Sequence, residues 1–173
     1  DHGYFMGPTT GLEDPRKTIV PLLPHADSLM LSRGILQNSI PKRTNIPIVL
    51  RVSSGNSILN EDMSNEKLCV SVEDAIRLNV SAVAFSIYIG GAYEHQTIVE
   101  FSKLVNDAHR YGIPVLAVTA VGKDMNRDLR YLSLASRIAV ELGADIVKTY
   151  YCEGFNELIG ACPVPVVIAG GKK

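Results

Sequence analysis

The chain has 173 residues, 46% of them hydrophobic and 20% charged, with a net charge of −1 at pH 7. That length allows one domain with a sizeable core, and a near-neutral balance with no basic block gives nucleic acid or an anionic membrane no electrostatic handle. No apolar run approaches the roughly 20 residues of a membrane-spanning helix, so neither nucleic acid nor membrane is expected as a partner.

In chain order, the opening "DHG" reads as the exit of a first strand whose body would lie upstream. Six short runs rich in Val, Ile and Ala follow. They are "ADSLML" (26–31), "IPIVLRVS" (46–53), "SAVAFSIYIG" (81–90), "IPVLAVTA" (113–120), "ADIVKTYY" (144–151) and "VPVVIAGG" (164–171). They are near-continuous rather than alternating, as in parallel strands covered on both faces. Between them lie three helix signals. "SVEDAIRLN" (71–79) begins with a serine cap and acidic residues. Residues 94–112 carry an apolar stripe at Ile98, Phe101, Leu104, Val105 and Ala108 and stop at Gly112; residues 128–143 stop at Gly143.

Repeated strand–helix units of this kind indicate a parallel α/β fold, either a (β/α)8 barrel or an open doubly wound sheet. Neither GxGxxG nor GxxxxGK[ST] follows the first strands, so the nucleotide fingerprint of the open sheet is missing. The expectation is therefore a TIM barrel, as a single domain over residues 1–173. A complete barrel typically takes about 250 residues, so the chain is expected to run from the end of strand one to the end of strand seven.

The fifth run places Lys148 directly after Ile146 and Val147 and before Thr149, Tyr150 and Tyr151. One reading is a strand-end lysine that snorkels to water or sits in an ion pair. The other is a Schiff-base lysine. Apolar and aromatic neighbours strip hydration from the ammonium, lower its pKa and supply a neutral amine able to condense with a ketone. Barrel active sites lie at the carboxyl ends of the strands, and Lys148 stands where that end begins.

Other strand exits carry chemistry too. Asp1 and His2 close the first, Arg51 and Ser53 the third, Thr119 with "VGKD" (121–124) the fifth, and "GGKK" (170–173) the seventh. Each has a plainer reading: Asp1 as a helix cap, His2 as a structural histidine, Arg51 in a salt bridge inside the barrel. Their common placement favours one shared site. Gly170 and Gly171 offer unobstructed backbone N–H groups beside Lys172, which suits a phosphate. Cys69, Cys152 and Cys162 are odd in number and lack metal-ligand spacing. They read as reduced thiols of a cytoplasmic protein, and no metal signature is present.

On these residues the sequence resembles the class I aldolase family that includes the archaeal-type fructose-bisphosphate aldolases, and within it a thiolase-like branch. The stretches that carry the resemblance are "DHGYFMGPTTGLE" (1–13), "RGIL" (33–36), "NSIL" (56–59), "YIGGAYEHQ" (88–96), "AVTAVGKDMNRDLRY" (117–131), "VKTYY" (147–151) and "CPVPVVIAGGKK" (162–173). The resemblance implies a Schiff-base lysine at Lys148, an acid/base aspartate at Asp1, a phosphate turn at Gly170 and Gly171, and a homodecamer. The aldolases of the family carry a proton-shuttling tyrosine after strand five, where this chain has Ala120. That departure favours the thiolase-like branch: acetyl transfer from a phosphorylated C5 dione to coenzyme A as co-substrate, with no bound cofactor. His2, Arg51, Thr119 and Lys172 are the further substrate-binding candidates. The rival readings are a class I aldolase acting on another phosphorylated ketose, such as fructose 1,6-bisphosphate, and a barrel-derived sensor of a sugar phosphate.

Overall fold

A computed structural model of the chain describes residues 7, 10–122 and 125–170. A short helix α1 (Pro15–Thr18), capped by the Asp14 carboxylate, runs into a 3-10 segment over Val20–His25. Strand β1 (Leu29–Ser32) and helix α2 (Arg33–Ser39) follow, then β2 (Ile48–Arg51). The chain then makes a small antiparallel pair, β3 (Ser53–Ser54) with β4 (Lys67–Leu68). Helix α3 (Val72–Arg77) leads to β5 (Ala82–Ile89), α4 (Glu94–His109) to β6 (Val115–Val121), and α5 (Leu129–Glu141) to β7 (Ile146–Thr149). Helix α6 (Phe155–Ala161) precedes β8 (Val166–Ile168).

The six long-range strands form one parallel sheet in the order β1-β2-β5-β6-β7-β8, so each strand joins the edge left by the one before. With a helix after each of the strands β1 to β7 along the sheet, this is the arrangement of a partial TIM barrel. All six apolar runs of the sequence became these strands, and the three helix signals became α3, α4 and α5. Their ends follow local chemistry. The Ser71 hydroxyl accepts the Asp74 N–H at 3.1 Å, and the Asp128 carboxylate accepts the Tyr131 N–H at 3.0 Å, both N-cap bonds. Gly112 and Gly143 stop α4 and α5 with φ of 68° and 100°, a conformation that glycine adopts without strain.

Parallel strands present alternate side chains to opposite faces, and here the two faces differ in kind. Val83, Phe85, Ile87 and Ile89 of β5, Val115 and Ala117 of β6, and Val147 of β7 pack against Phe101, Leu104 and Ala108 of α4 and Ala135 and Ala139 of α5. That sheet–helix layer is the core. The residues between them, Ser86 and Tyr88 on β5, Val118 and Ala120 on β6, and Lys148 on β7, line a cavity on the sheet's other face. One face therefore supplies stability, and the other is left for chemistry.

Candidate active site

Strand register fixes which of these cavity residues are neighbours. At one level Ser86 lies beside Val118, and Val118 beside Lys148. One step back toward the strand starts, Arg51 lies beside Ala84. One step forward, Tyr88 lies beside Ala120. All but Ala84 line a cavity of about 500 Å³ at the carboxyl ends of the strands, which Gly170 and Arg127 also border.

Arg51 is 6% exposed and Glu66 1%. A buried arginine is costly unless its donors are met, and here they are. Arg51 Nη2 donates to Glu66 Oε1 at 2.7 Å and to Ser86 Oγ at 3.0 Å, and its Nε donates to the Ser53 carbonyl at 3.3 Å. Glu66 also accepts from the Ser53 hydroxyl and from the Tyr88 hydroxyl, the latter at 3.1 Å. The β3–β4 pair explains the contact: it folds the loop after β2 back so that Glu66, the residue before β4, reaches Arg51. The salt-bridge reading of Arg51 is thus what the structure holds, and the bridge forms part of the cavity wall.

Lys148 is half-buried in the same wall. Loss of hydration, followed by the repulsion of the Arg51 guanidinium, lowers its pKa from 10.5 to about 8. An amine in that range keeps a usable neutral fraction near neutral pH, the requirement for attack on a carbonyl carbon. On Tyr88 burial and then the adjacent Glu66 carboxylate both act in the upward direction, pushing its phenol far above the usual range.

Of the residues singled out in the sequence, Lys148, Arg51, Thr119 and Gly170 come together around this cavity. The Thr119 side chain is fully buried, and its hydroxyl donates to the Lys148 main-chain carbonyl at 3.5 Å. Asp1, His2, Gly171 and Lys172 lie outside the described residues. Glu66, Tyr88, Ser64 and Arg127 were missed by the sequence reading. Ser64 borders the cavity with a buried hydroxyl that has no hydrogen-bond partner among the described residues. The Arg127 guanidinium lies 3.8 Å above the Tyr150 ring at the cavity rim, a cation–π pair. Two polar positions in the otherwise apolar run 82–89, Ser86 and Tyr88, were the available signal. Their spacing of two puts them on one face of a strand.

Among the described residues, no three His, Cys, Asp or Glu side chains gather as metal ligands, and no helix is long and apolar enough to cross a membrane.

Comparison with known proteins accords with this geometry. A family profile described as DeoC/LacD family aldolase matches residues 1–173. A 3-hydroxy-5-phosphonooxypentane-2,4-dione thiolase from Photorhabdus laumondii is 60% identical over 174 residues, covering 100% of this chain and 60% of the relative. A protein of the same name from Klebsiella pneumoniae is also 60% identical, with 100% and 59% covered. The chain thus spans about 60% of the length of the curated relatives it matches. Among solved structures, an archaeal fructose 1,6-bisphosphate aldolase superposes with a TM-score of 0.84 at 27% identity, over 99% of this chain and 73% of that one. A second structure, of an archaeal fructose-1,6-bisphosphate aldolase with its catalytic lysine bound to the carbinolamine intermediate, gives a TM-score of 0.82. It is 28% identical, over 92% of this chain and 66% of that one.

Proposed function

The chain belongs to the DeoC/LacD aldolase family, and on that premise we propose that it carries the active site of an acyltransferase working through a lysine imine. The substrate is a phosphorylated C5 dione, a phospho-autoinducer-2 derivative such as 3-hydroxy-5-phosphonooxypentane-2,4-dione. Lys148 condenses with the keto group next to the phosphate-bearing carbon. The thiol of coenzyme A attacks the acetyl carbonyl, and the carbon–carbon bond breaks with its electrons drawn into the iminium. Acetyl-coenzyme A leaves, and hydrolysis of the imine releases dihydroxyacetone phosphate.

The observation that carries this reading is the Lys148 amine, held in the cavity wall with its pKa lowered to about 8 by burial and by Arg51. Relatives named for the dione thiolase, 60% identical over the whole chain, support the substrate class. In this reading the Gly170–Gly171 turn and Lys172 take the phosphate, and Asp1 and His2 move the protons of imine formation and hydrolysis. Arg51 steadies developing oxygen charge, the Thr119 hydroxyl holds the Lys148 main chain, the Ser64 hydroxyl meets a substrate oxygen, and Arg127 meets an anionic group at the rim. Coenzyme A acts as co-substrate and no cofactor is bound. The assembly is a homodecamer in the cytoplasm.

A second reading, a class I aldolase cleaving another phosphorylated ketose, draws support from the likeness to the archaeal aldolases, one of them caught as a lysine carbinolamine. One assay separates the two. Full-length protein is incubated with the phosphorylated dione, with and without coenzyme A, and acetyl-coenzyme A is measured; borohydride trapping and mass spectrometry locate the imine. Acetyl-coenzyme A that forms only with active protein carries the acyl-transfer reading. Cleavage that ignores coenzyme A turns the assignment to the aldolase, and a Lys148→Ala protein that still traps removes the lysine from its role.

A further inference from the structure

We propose that Tyr88, with the buried Glu66 behind it, relays the thiol's proton to the carbon released in the cleavage. The inference rests on the imine chemistry proposed for Lys148 and assigns a step that chemistry leaves open. Acyl transfer forms one sulfur–carbon bond and breaks one carbon–carbon bond. The thiol loses a proton, and the carbon released as an enamine gains one. A single group that takes the first proton and returns it to the carbon balances the reaction.

The described residues around the cavity narrow the choice. Arg51 and Arg127 carry guanidinium donors only and offer no acceptor for a proton. Lys148 is committed as the imine. The Tyr150 ring lies under the Arg127 guanidinium. Asp62 closes its own turn, accepting the Ser64 N–H at 2.8 Å. Tyr88 differs from these in offering a hydroxyl that already donates to a carboxylate, Glu66 Oε1, at 3.1 Å. A neutral phenol accepts a proton on its oxygen only while it gives up its own. Glu66 receives that proton as the thiol's proton arrives. The flow then reverses: Tyr88 gives its proton to the enamine carbon, and Glu66 returns the borrowed one. Both groups end as they began.

Geometry supports the pair at each point. The backbone N–H of Tyr88 donates to Thr97 Oγ1 at 3.2 Å, which ties the strand end to α4. The Glu66 carboxylate cannot swing away, because Arg51 and the Ser53 hydroxyl both hold it. Register puts Tyr88 beside Ala120, whose methyl group leaves the space in front of the phenol open. Burial and the Glu66 charge keep the phenol protonated in the resting protein, so the proton to be relayed is present. Tyr88 would touch the reacting atoms; Glu66 acts through it.

The test uses a half-reaction that needs the imine and a proton shuttle but no coenzyme A. Full-length protein is mixed with dihydroxyacetone phosphate in deuterated water, exchange of the hydrogen on the hydroxyl-bearing carbon is followed by NMR, and imine is trapped in parallel with borohydride. Tyr88→Phe is expected to slow exchange about 100-fold while trapping stays within about twofold. Glu66→Gln is expected to slow exchange comparably among the molecules that trap. Undiminished exchange in Tyr88→Phe overturns the assignment, and so does a Tyr88→Phe protein that no longer traps, since its tyrosine would then be structural. A wild-type protein that neither traps nor exchanges removes the imine chemistry and this proposal together. One that exchanges, loses exchange in Tyr88→Phe and yet makes no acetyl-coenzyme A removes only the acyl-transfer reading and leaves the pair standing.

Discussion

Imine formation at Lys148 should follow the neutral fraction of its amine, and the structure sets the scale. With the amine titrating at about 8 instead of 10.5, the neutral fraction at pH 7 is roughly one tenth rather than roughly 0.03%, a gain of about 300-fold. Borohydride trapping with a saturating ketone should therefore rise about tenfold per pH unit below the midpoint and flatten above it. Arg51→Met withdraws one cause of the shift and leaves the larger, burial. Its midpoint should move upward and stay under 10.5. The substitution also leaves Glu66 buried without its cation, a loss of about 3–5 kcal/mol of stability, so trapping is normalised to folded protein by circular dichroism. A wild-type midpoint at the ordinary lysine value, or a downward move in Arg51→Met, would refute the reasoning.

Two further outcomes follow from the same wall. Lys148→Met should be more stable than wild type at pH 7: with the folded pKa below the unfolded one, both states hold the proton below pH 8 and the folded state carries the burial cost. Wild type regains that stability as pH rises from about 8 to 10.5, so thermal unfolding curves should converge there; a wild type that is the more stable at pH 7 contradicts this. Gly122→Ala should lower both the melting temperature and trapping, because its Cβ would stand 2.6 Å from the Gly90 carbonyl oxygen, a backbone clash that no rotamer relieves. We expect a cost of about 1–3 kcal/mol, and an unchanged melting temperature would count against it.

The fold was legible in the sequence because burial on both faces writes itself as uninterrupted apolar runs, and glycine at φ of 68° and 100° marks where α4 and α5 stop. The half-burial of Lys148 was legible for a related reason: the lysine stands inside such a run, where loss of hydration lowers its pKa. Glu66 was not legible. It lies in the polar stretch 56–66, and its role depends on a contact fifteen residues back to Arg51, which only the β3–β4 pairing creates. Helices α2 and α6 escaped as well: seven residues are too few to display a helical period, and neither pairs a capping side chain with an acidic first turn, the signal that revealed the six-residue α3. Tyr88 was hidden by its own hydrophobicity, since a tyrosine in an apolar strand reads as core until its hydroxyl is given a partner.

The register also explains why a cavity exists where a packed barrel interior would otherwise close. Polar side chains point inward from β5 and from β7 and its exit: Ser86 and Tyr88 on one side, Lys148 and Tyr150 on the other. On the strand between them, β6, the side chains at the matching inward positions are Val118 and Ala120. A bulky residue at position 120 would fill the space in front of Tyr88, just above the level of Lys148. Alanine there leaves the amine, the phenol and the guanidinium at the rim open to one bound molecule. The same small side chain that denies the site a proton shuttle of its own on β6 thus leaves room for the tyrosine of β5 to act, so enlarging Ala120 should weaken ligand binding before it disturbs the helix-facing core.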